Sequence, residues 1–279
     1  MEESHHRSVL ITGCGQGGIG HALCLEFGRH GYTVFATLLP HESRDHLTDS
    51  GVQAFSADVT NDSDVNNLHE AITAITHGRL DILVNCAGIC YTMTAVDTDV
   101  KEVERMFAVN VFGPMRMVHR FHPLLIQAQG KVVNIGSVGG IVPYVYGSSY
   151  NASKAALHHW GDTLRVEMKP LGVGVINIIS GEVSTNILKR DNSRKLPETS
   201  VYRPLEKQFA DHVKRTPHTT SPQDYARTVV AEVVRSHPRA WFWTGAASSF
   251  VRYCDMFLPR TFWDWLFTRS FNLTLLKTT

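Results

Sequence analysis

Five glycines fall within the eight residues Gly13–Gly20, in the run Thr12-Gly-Cys-Gly-Gln-Gly-Gly-Ile-Gly20. An apolar β-branched stretch, Ser8–Thr12, precedes the run, and an amphipathic one, Gly18–His30, follows it. Glycine loses more freedom on folding than any other residue, so such a run is kept only where the backbone must turn sharply or lie close against something. Strand, glycine turn and helix together are the context in which a dinucleotide pyrophosphate meets a helix N-terminus. That context demands a parallel sheet with a crossover helix.

The rest of the chain supplies both. Apolar runs at Thr33–Thr37, Val52–Ala57, Leu80–Asn85, Lys131–Gly136 and Val173–Ile179 read as strands. Between them, Val65–Thr76, Val100–Gln127 and Tyr150–Met168 read as helices, with Gly113-Pro114 disturbing the second. This β-α alternation predicts an α/β fold: a doubly wound parallel sheet with helices on both faces. A hydrophobic content of 43% over 279 residues is enough for one large domain.

Several function classes drop out early. A net charge of +1 offers no electrostatic case for nucleic acid. The acidic start and the short run Val9-Leu10-Ile11 do not make a signal peptide. Cys14, Cys24, Cys86, Cys90 and Cys254 are an odd set, expected as free thiols. The Cys86/Cys90 spacing lacks a second pair, so no metal site is expected. His5 and His6 read as solvated residues.

Chemistry is concentrated in Tyr150-Asn-Ala-Ser-Lys154, with Ser137 thirteen residues upstream. Tyrosine and lysine four apart share a helix face. An ammonium beside a phenol favours the phenolate, so Tyr150 is expected to exchange a proton near neutral pH.

The Gly13–Gly20 turn, Asp58-Val59, Asn85-Cys-Ala-Gly88, Asn110, Ser137, Tyr150 and Lys154 together resemble the short-chain dehydrogenase/reductase family across residues 8–185. Ile11-Thr-Gly-Cys and Val34-Phe-Ala-Thr are similar to its steroid and retinoid dehydrogenases. The segments Trp241-Phe-Trp, Leu258-Pro-Arg and Trp263-Asp-Trp look most like fungal acyl-dihydroxyacetone-phosphate reductases. The resemblance implies a single Rossmann domain, with a cofactor-binding and catalytic core at 8–185 and a substrate lid and aromatic extension at 186–279. It implies Tyr150 as general acid or base, Lys154 lowering its pKa and holding the nicotinamide ribose, and Ser137 bonding the substrate oxygen. Asn110 would anchor a water linking Lys154 to solvent. Gly13, Gly18, Ile19 and Gly20 would cradle the pyrophosphate. Asp58 and Val59 would meet the adenine, and Asn85, Ala87 and Gly88 the adenosine ribose. Val183 and Thr185 would reach the nicotinamide. Asp58 is alternatively a cap for the helix after Asn61, Ser137 a turn serine, and Thr185 a loop threonine.

The chain departs from the family pattern in four places. Four residues separate Gly13 from Gly18 where three are usual, so the turn must bulge. Cys86 replaces a second asparagine. Ser180-Gly181 replaces Pro-Gly, predicting a less rigid loop. Strand two ends Ala36-Thr37-Leu38-Leu39-Pro40-His41, with no carboxylate for the ribose hydroxyls and no arginine at Leu39. The missing carboxylate favours NADPH/NADP+ over NAD(H) without excluding the latter, and His41 and Arg44 are candidates for the 2′-phosphate.

The basic stretch Lys189–Arg215 reads as a solvated lid or as a phosphate clamp built on Arg190 or Arg194. The aromatic segment 241–271 suits core packing, a dimer face or a helix lying in a membrane interface. A lipophilic substrate is expected on either account. The function expected is an NADP(H)-dependent carbonyl reductase or alcohol dehydrogenase. Acyl-dihydroxyacetone-phosphate reduction stands beside a tailoring step on a polyketide or terpenoid. An isomerase or cyclase on the same fold, and a cofactor sensor without turnover, both leave the Ser-Tyr-Lys set unexplained. The resemblance implies a homodimer or homotetramer, since the family commonly pairs through the helices that Val100–Gln127 and Tyr150–Met168 match. A cytoplasmic location is expected, with a peripheral place on endoplasmic reticulum or lipid droplets if 241–271 meets a membrane.

Overall fold

The computed structural model describes residues 7–185, 187, 191–215 and 219–276. Seven parallel strands run in the order β3-β2-β1-β4-β5-β6-β7. They are β1 (Ser8–Ile11), β2 (Thr33–Leu38), β3 (Gln53–Ser56), β4 (Ile82–Asn85), β5 (Lys131–Ile135), β6 (Gly174–Ser180) and β7 (Trp241–Thr244). Successive side chains of a strand point to opposite faces. Val9 and Ile11 of β1 therefore enter one core while Leu10 enters the other, and β4 divides Ile82 and Val84 from Leu83 likewise. Burial on both faces is why these strands read as unbroken apolar runs.

Helices α1 (Ile19–Arg29), α3 (Asp62–Thr76), α6 (Ser148–Met168) and α8 (Pro222–Val233) join the strands, with the short α2 (Asp45–Thr48) after β2. Leu23 and Phe27 of α1 pack with Tyr225, Val229 and Val230 of α8 on one face. Leu68 and Ile72 of α3, Leu164 and Met168 of α6, and Phe121 and Leu125 cover the other. This is the doubly wound α/β sheet that the sequence pattern predicts.

Val100–Gln127 is not one helix. It resolves into α4 (Val100–Phe107), a π-turn at Ala108–Phe112 and α5 (Gly113–Ala128). Pro114 sits in the first turn of α5, where its missing N–H costs nothing. Strand β7 lies inside the stretch expected as an aromatic extension. Trp241-Phe-Trp-Thr244 alternates half-buried and buried residues and pairs with β6, Asn177 opposite Trp241. Aromatic side chains suit a pleated strand as well as a surface helix, and the sequence does not separate the two.

A polar ladder crosses the apolar sheet. Asn85, Asn134 and Asn177 stand in register on β4, β5 and β6. Asn85 Nδ2 donates to Asn134 Oδ1 at 2.9 Å, and Asn134 Nδ2 to Asn177 Oδ1 at 3.1 Å. Asn177 Nδ2 donates to the His158 carbonyl at 3.0 Å. Gly161 of α6 makes room, since a Cβ there would lie 2.3 Å from Asn177 Oδ1.

Segment 191–215 packs as a cap. Leu196, Leu205 and Phe209, with Val213 of α7 (Glu206–Lys214), join Tyr91, Met93, Met106 and Tyr146 in an apolar cluster. Its apolar residues turn inward, which the run of basic residues obscures in the sequence. Helices α9 (Ser248–Phe257) and α10 (Thr261–Ser270) close the chain. Among the described residues, no helix is long and apolar enough to cross a membrane.

Candidate active site

The strand order reverses between β1 and β4, and there, at the carboxyl ends of the strands, the sheet opens into a cleft of about 810 Å³. Gly13 follows β1 in a left-handed conformation, φ +71°. A Cβ on it would stand 2.6 Å from Ala87 Cα, and one on Gly20 would stand 2.4 Å from the Gly13 carbonyl. The extra residue of the turn is absorbed at Gly17, φ +74°, while Gly18 N–H closes back on the Gly15 carbonyl at 3.0 Å. The bulge expected from the spacing is thus a left-handed glycine. The backbone between Gly15 and Gly18 faces the cleft, bare of side chains apart from Gln16, just before the N-terminus of α1. A pyrophosphate fits such a cradle.

Gly13, Gly18, Ile19, Gly20, Asp58, Val59, Ala87, Gly88, Val183 and Thr185 all line the cleft, with Ser137, Tyr150 and Lys154 deeper in it. Asp58 Oδ1 closes its own loop by accepting from Thr60 N–H and Oγ1, each at 2.8 Å. The cap of α3 is Asn61, which accepts from Ser63 and Asp64 N–H.

Three sequence candidates fall elsewhere. Asn85 faces into the sheet as the first rung of the ladder, because its β4 position points away from the cleft. His41 and Arg44 are exposed on the loop after β2 and do not line the cleft. Glu42 does, and its Oε2 accepts from Leu39 N–H at 2.9 Å. The carboxylate missing from the end of β2 therefore returns three residues later, carried back by the turn at Leu39–Glu42.

Lys154 is 6% exposed, and its Nζ donates to the Ile135 carbonyl at 2.9 Å. It lies 5.8 Å from the centre of the Tyr150 ring. Burial lowers the lysine to about 8. The expected lowering of Tyr150 is reversed in the protein alone. Burial pushes the phenol above its usual range, the Cys90 thiol adds to this, and a hydrogen bond with Ser137 opposes both. Desolvation of a phenolate outweighs an ammonium at this distance.

Ser137 lies two residues beyond β5, at the start of the turn Val138–Gly140, and does two jobs. Its Oγ accepts from Gly139 N–H at 3.0 Å, as a turn serine would, and it is also Tyr150's partner. Asn110 is fully buried in the π-turn. Its Nδ2 donates to the Ile89 carbonyl at 2.9 Å and to Ser153 Oγ at 3.1 Å, and its Oδ1 accepts from Ile89 N–H at 2.9 Å. One amide hydrogen thus holds the loop at Ile89 and the other ties the π-turn to α6 through Ser153.

The loop after β6 is tied down more firmly than Ser180-Gly181 suggests. Ser180 Oγ and the Tyr225 hydroxyl stand 2.5 Å apart, and Gly181 N–H donates to the Thr244 carbonyl at 2.7 Å. Beyond it lies an aromatic wall of Tyr144, Tyr146, His212, Phe250, Trp263 and Phe267. Arg215 also lines this end, 3.6 Å from Glu182. Arg194 does not. It bonds Asp191 at 2.6 Å and covers the Tyr91 ring at 4.1 Å, so it is no phosphate clamp. Arg190, Lys189, His5 and His6 lie outside the described residues.

The family model for short chain dehydrogenases matches residues 7–196. The chain belongs to the short-chain dehydrogenase/reductase family. It is 68% identical to the short-chain dehydrogenase anuB of Penicillium roqueforti, covering 93% of this chain and 92% of the relative. Identity to the short-chain dehydrogenase virD of Hypocrea virens is 60%, covering 96% and 94%. The NADPH-dependent 1-acyldihydroxyacetone phosphate reductase of Schizosaccharomyces pombe is more distant, 36% identical over 81% of this chain and 78% of its own. Among solved structures, a short-chain dehydrogenase from Streptomyces avermitilis superposes with a TM-score of 0.76 at 24% identity, covering 94% and 97%. A serine dehydrogenase complexed with NADP+ has a TM-score of 0.71 at 23% identity, covering 86% and 95%, a likeness of fold alone. The family uses NAD(P), and the chain is an oxidoreductase of that kind.

Sequence reasoning missed Glu42, Tyr144, His212 and Arg215, because their approach to the cleft depends on loop paths. It also missed His158, whose spacing from Tyr150 placed it on α6 but not behind Ser137.

Proposed function

We propose that the protein interconverts a carbonyl and a hydroxyl on a lipophilic substrate, as a tailoring oxidoreductase of a specialised metabolite. The observation carrying this reading is the convergence of Ser137, Tyr150 and Lys154 at the junction of the glycine cradle and an aromatic-walled pocket. A nicotinamide dinucleotide held by the glycine cradle and Lys154 would supply or accept the hydride. Ser137 Oγ holds the substrate oxygen where negative charge develops. Tyr150 gives that oxygen its proton in reduction and removes it in oxidation. Lys154, fixed by the Ile135 carbonyl, favours the phenolate and holds ribose hydroxyls.

Acyl-dihydroxyacetone-phosphate reduction is the weaker reading. The relative of that name is far more distant than anuB and virD, and Arg194 is committed to Asp191. We assign NADP(H) as the preferred dinucleotide, in line with the dinucleotides named for the yeast reductase and the serine dehydrogenase structure. Glu42 narrows that preference, and NAD(H) is expected to bind as well. A peripheral lipid contact is supported by Tyr253, Met256, Phe257 and Trp265, all more than half exposed, with Arg252, Arg260 and Arg269 among them. Pairing of two copies through α4, α5 and α6 is supported by exposed Val100, Phe112 and Val166.

The test is titration with NADPH and NADH, then loss of reduced-nicotinamide absorbance with phenanthrenequinone, aryl ketones, long-chain aldehydes and acyl-dihydroxyacetone phosphate. Turnover of the unphosphorylated carbonyls supports the proposal. Turnover of the phosphorylated lipid alone would replace it with the second reading, and binding without any turnover would overturn both.

A further inference from the structure

The imidazole of His158 lies directly behind Ser137. It is 3% exposed on α6 and sits between Gly136 and Gly140. A Cβ on Gly136 would stand 2.2 Å from its Nε2, and one on Gly140 would stand 2.6 Å from its Cε1. A side chain on either glycine would therefore collide with this ring. Strand β5 makes its last sheet bond at Gly136, whose N–H donates to the Ile178 carbonyl at 2.8 Å. One residue on, Ser137 N–H donates to His158 Nε2 at 3.2 Å. The ring is thus an acceptor placed where the strand has run out of partners.

An Nε2 that accepts an N–H carries no proton, so the proton of the neutral ring is on Nδ1. Burial, reinforced by the Lys154 ammonium, holds the imidazole down to about 3 and keeps it neutral. The ring is fixed from three further sides. The Trp241 ring of β7 packs at 5.4 Å, α6 holds the main chain, and Asn177 of the ladder donates to the His158 carbonyl at 3.0 Å.

We propose that His158 is a positioning residue that fixes the main chain at Ser137 and so aims Ser137 Oγ at the substrate oxygen and at Tyr150. This rests on the role of Ser137 given above. The main-chain bond fixes one end of the residue, and the bond from Gly139 N–H to Oγ at 3.0 Å fixes the other. Removing the first leaves the hydroxyl on a turn free to rotate about its own cap, and a catalytic hydrogen bond loses strength steeply with misalignment.

The test is a double-mutant cycle between His158→Met and Ser137→Ala, with phenanthrenequinone and saturating NADPH. H158M keeps the volume and removes the acceptor. It is expected to lower kcat about tenfold or more with KM for NADPH unchanged, and H158Q, which restores an acceptor, to recover most of the loss. In the S137A background, H158M should cost nothing further. The pH dependence of oxidation should also move to higher pH in H158M, since Ser137's hydrogen bond lowers the Tyr150 phenol. Additive losses, an unshifted profile, or full activity in H158M would overturn the proposal. Should H158M not fold, H158N, too short to reach Ser137 N–H, takes its place in the cycle. If the native protein turns over no carbonyl, the proposed function fails, but the crystal structure of the same variant still decides this inference. A displaced Ser137 Oγ supports it and an unmoved one overturns it.

Discussion

Lys154 Nζ is held 2.9 Å from the Ile135 carbonyl, which fixes the ammonium 5.8 Å from the Tyr150 ring and facing Gly88. The two side chains therefore have separable duties. Tyr150→Phe removes only the proton carrier and is expected to lower kcat by about 1,000-fold while leaving dinucleotide affinity within about twofold. Lys154→Met removes the ammonium proposed to hold the ribose and should weaken both turnover and dinucleotide affinity. Fluorescence titration with NADPH beside steady-state rates checks this, and a Y150F enzyme with most of its activity would refute the mechanism.

The two reaction directions should respond oppositely to pH. Oxidation needs the phenolate of Tyr150, raised by burial, so its kcat/KM climbs as pH rises. Reduction needs the phenol and the Lys154 ammonium, and the latter titrates at about 8, so reduction declines above that pH. Rates measured in both directions across the same buffers decide the matter. Parallel profiles would mean that Tyr150 is not the group exchanging the proton.

Glu42 is expected to discriminate between the dinucleotides. Its carboxylate bonds Leu39 N–H at the cleft rim, where a 2′-phosphate would meet like charge. Glu42→Gln should raise the NADPH-to-NADH ratio of kcat/KM about tenfold. An unchanged ratio would place the adenosine ribose elsewhere.

Gly161 is a packing requirement for the asparagine ladder. Gly161→Ala drives a Cβ to 2.3 Å from Asn177 Oδ1 and 2.8 Å from Asn134 Nδ2. Overpacking and a broken buried hydrogen bond together are expected to cost about 2–4 kcal/mol in stability. Urea denaturation measures it, and a loss no larger than that of a surface substitution would show that the ladder yields easily.

Acid should destabilise the fold early. His158 and His212 are both held near about 3 by burial, below their usual 6.5. Between those values the unfolded chain binds the extra protons, so stability is complete above pH 6.5 and falls as pH drops toward 3. His158→Gln should flatten that decline, as followed by thermal melts across pH. An identical slope would mean that the ring titrates freely.

The sheet and the Tyr150/Ser137 pair were legible because they rest on local pattern: period, glycine density and helical spacing. Strand β7 was not, since Trp241-Phe-Trp-Thr244 satisfies an amphipathic surface as readily as an edge strand. The family motif Asn85-Cys-Ala-Gly88 places Asn85 at the dinucleotide together with Ala87 and Gly88. Strand alternation sends it the other way, and the register that makes it a rung needs β5 and β6 in place. Glu42 narrows the argument from the missing carboxylate because a tight turn, and not sequence position, brings its side chain to the cleft. Arg194 is taken by Asp191, three residues before it, a pairing that the run of basic residues hides.

The π-turn at Ala108–Phe112 has a bearing on how this chain can be shortened. It spends one residue more than an α-helical turn of equal advance, and that surplus sets the rotational phase between α4 and α5. Deleting a single residue there would leave a continuous, well-bonded helix of nearly the same length. It would also swing everything on one side of the deletion by about 100° relative to the other. Either Asn110 would leave the loop at Ile89, or Met117 and Phe121 would leave the core. A deletion that looks harmless on paper would force the protein to give up the bonds that hold the Ile89 loop or the packing of its core.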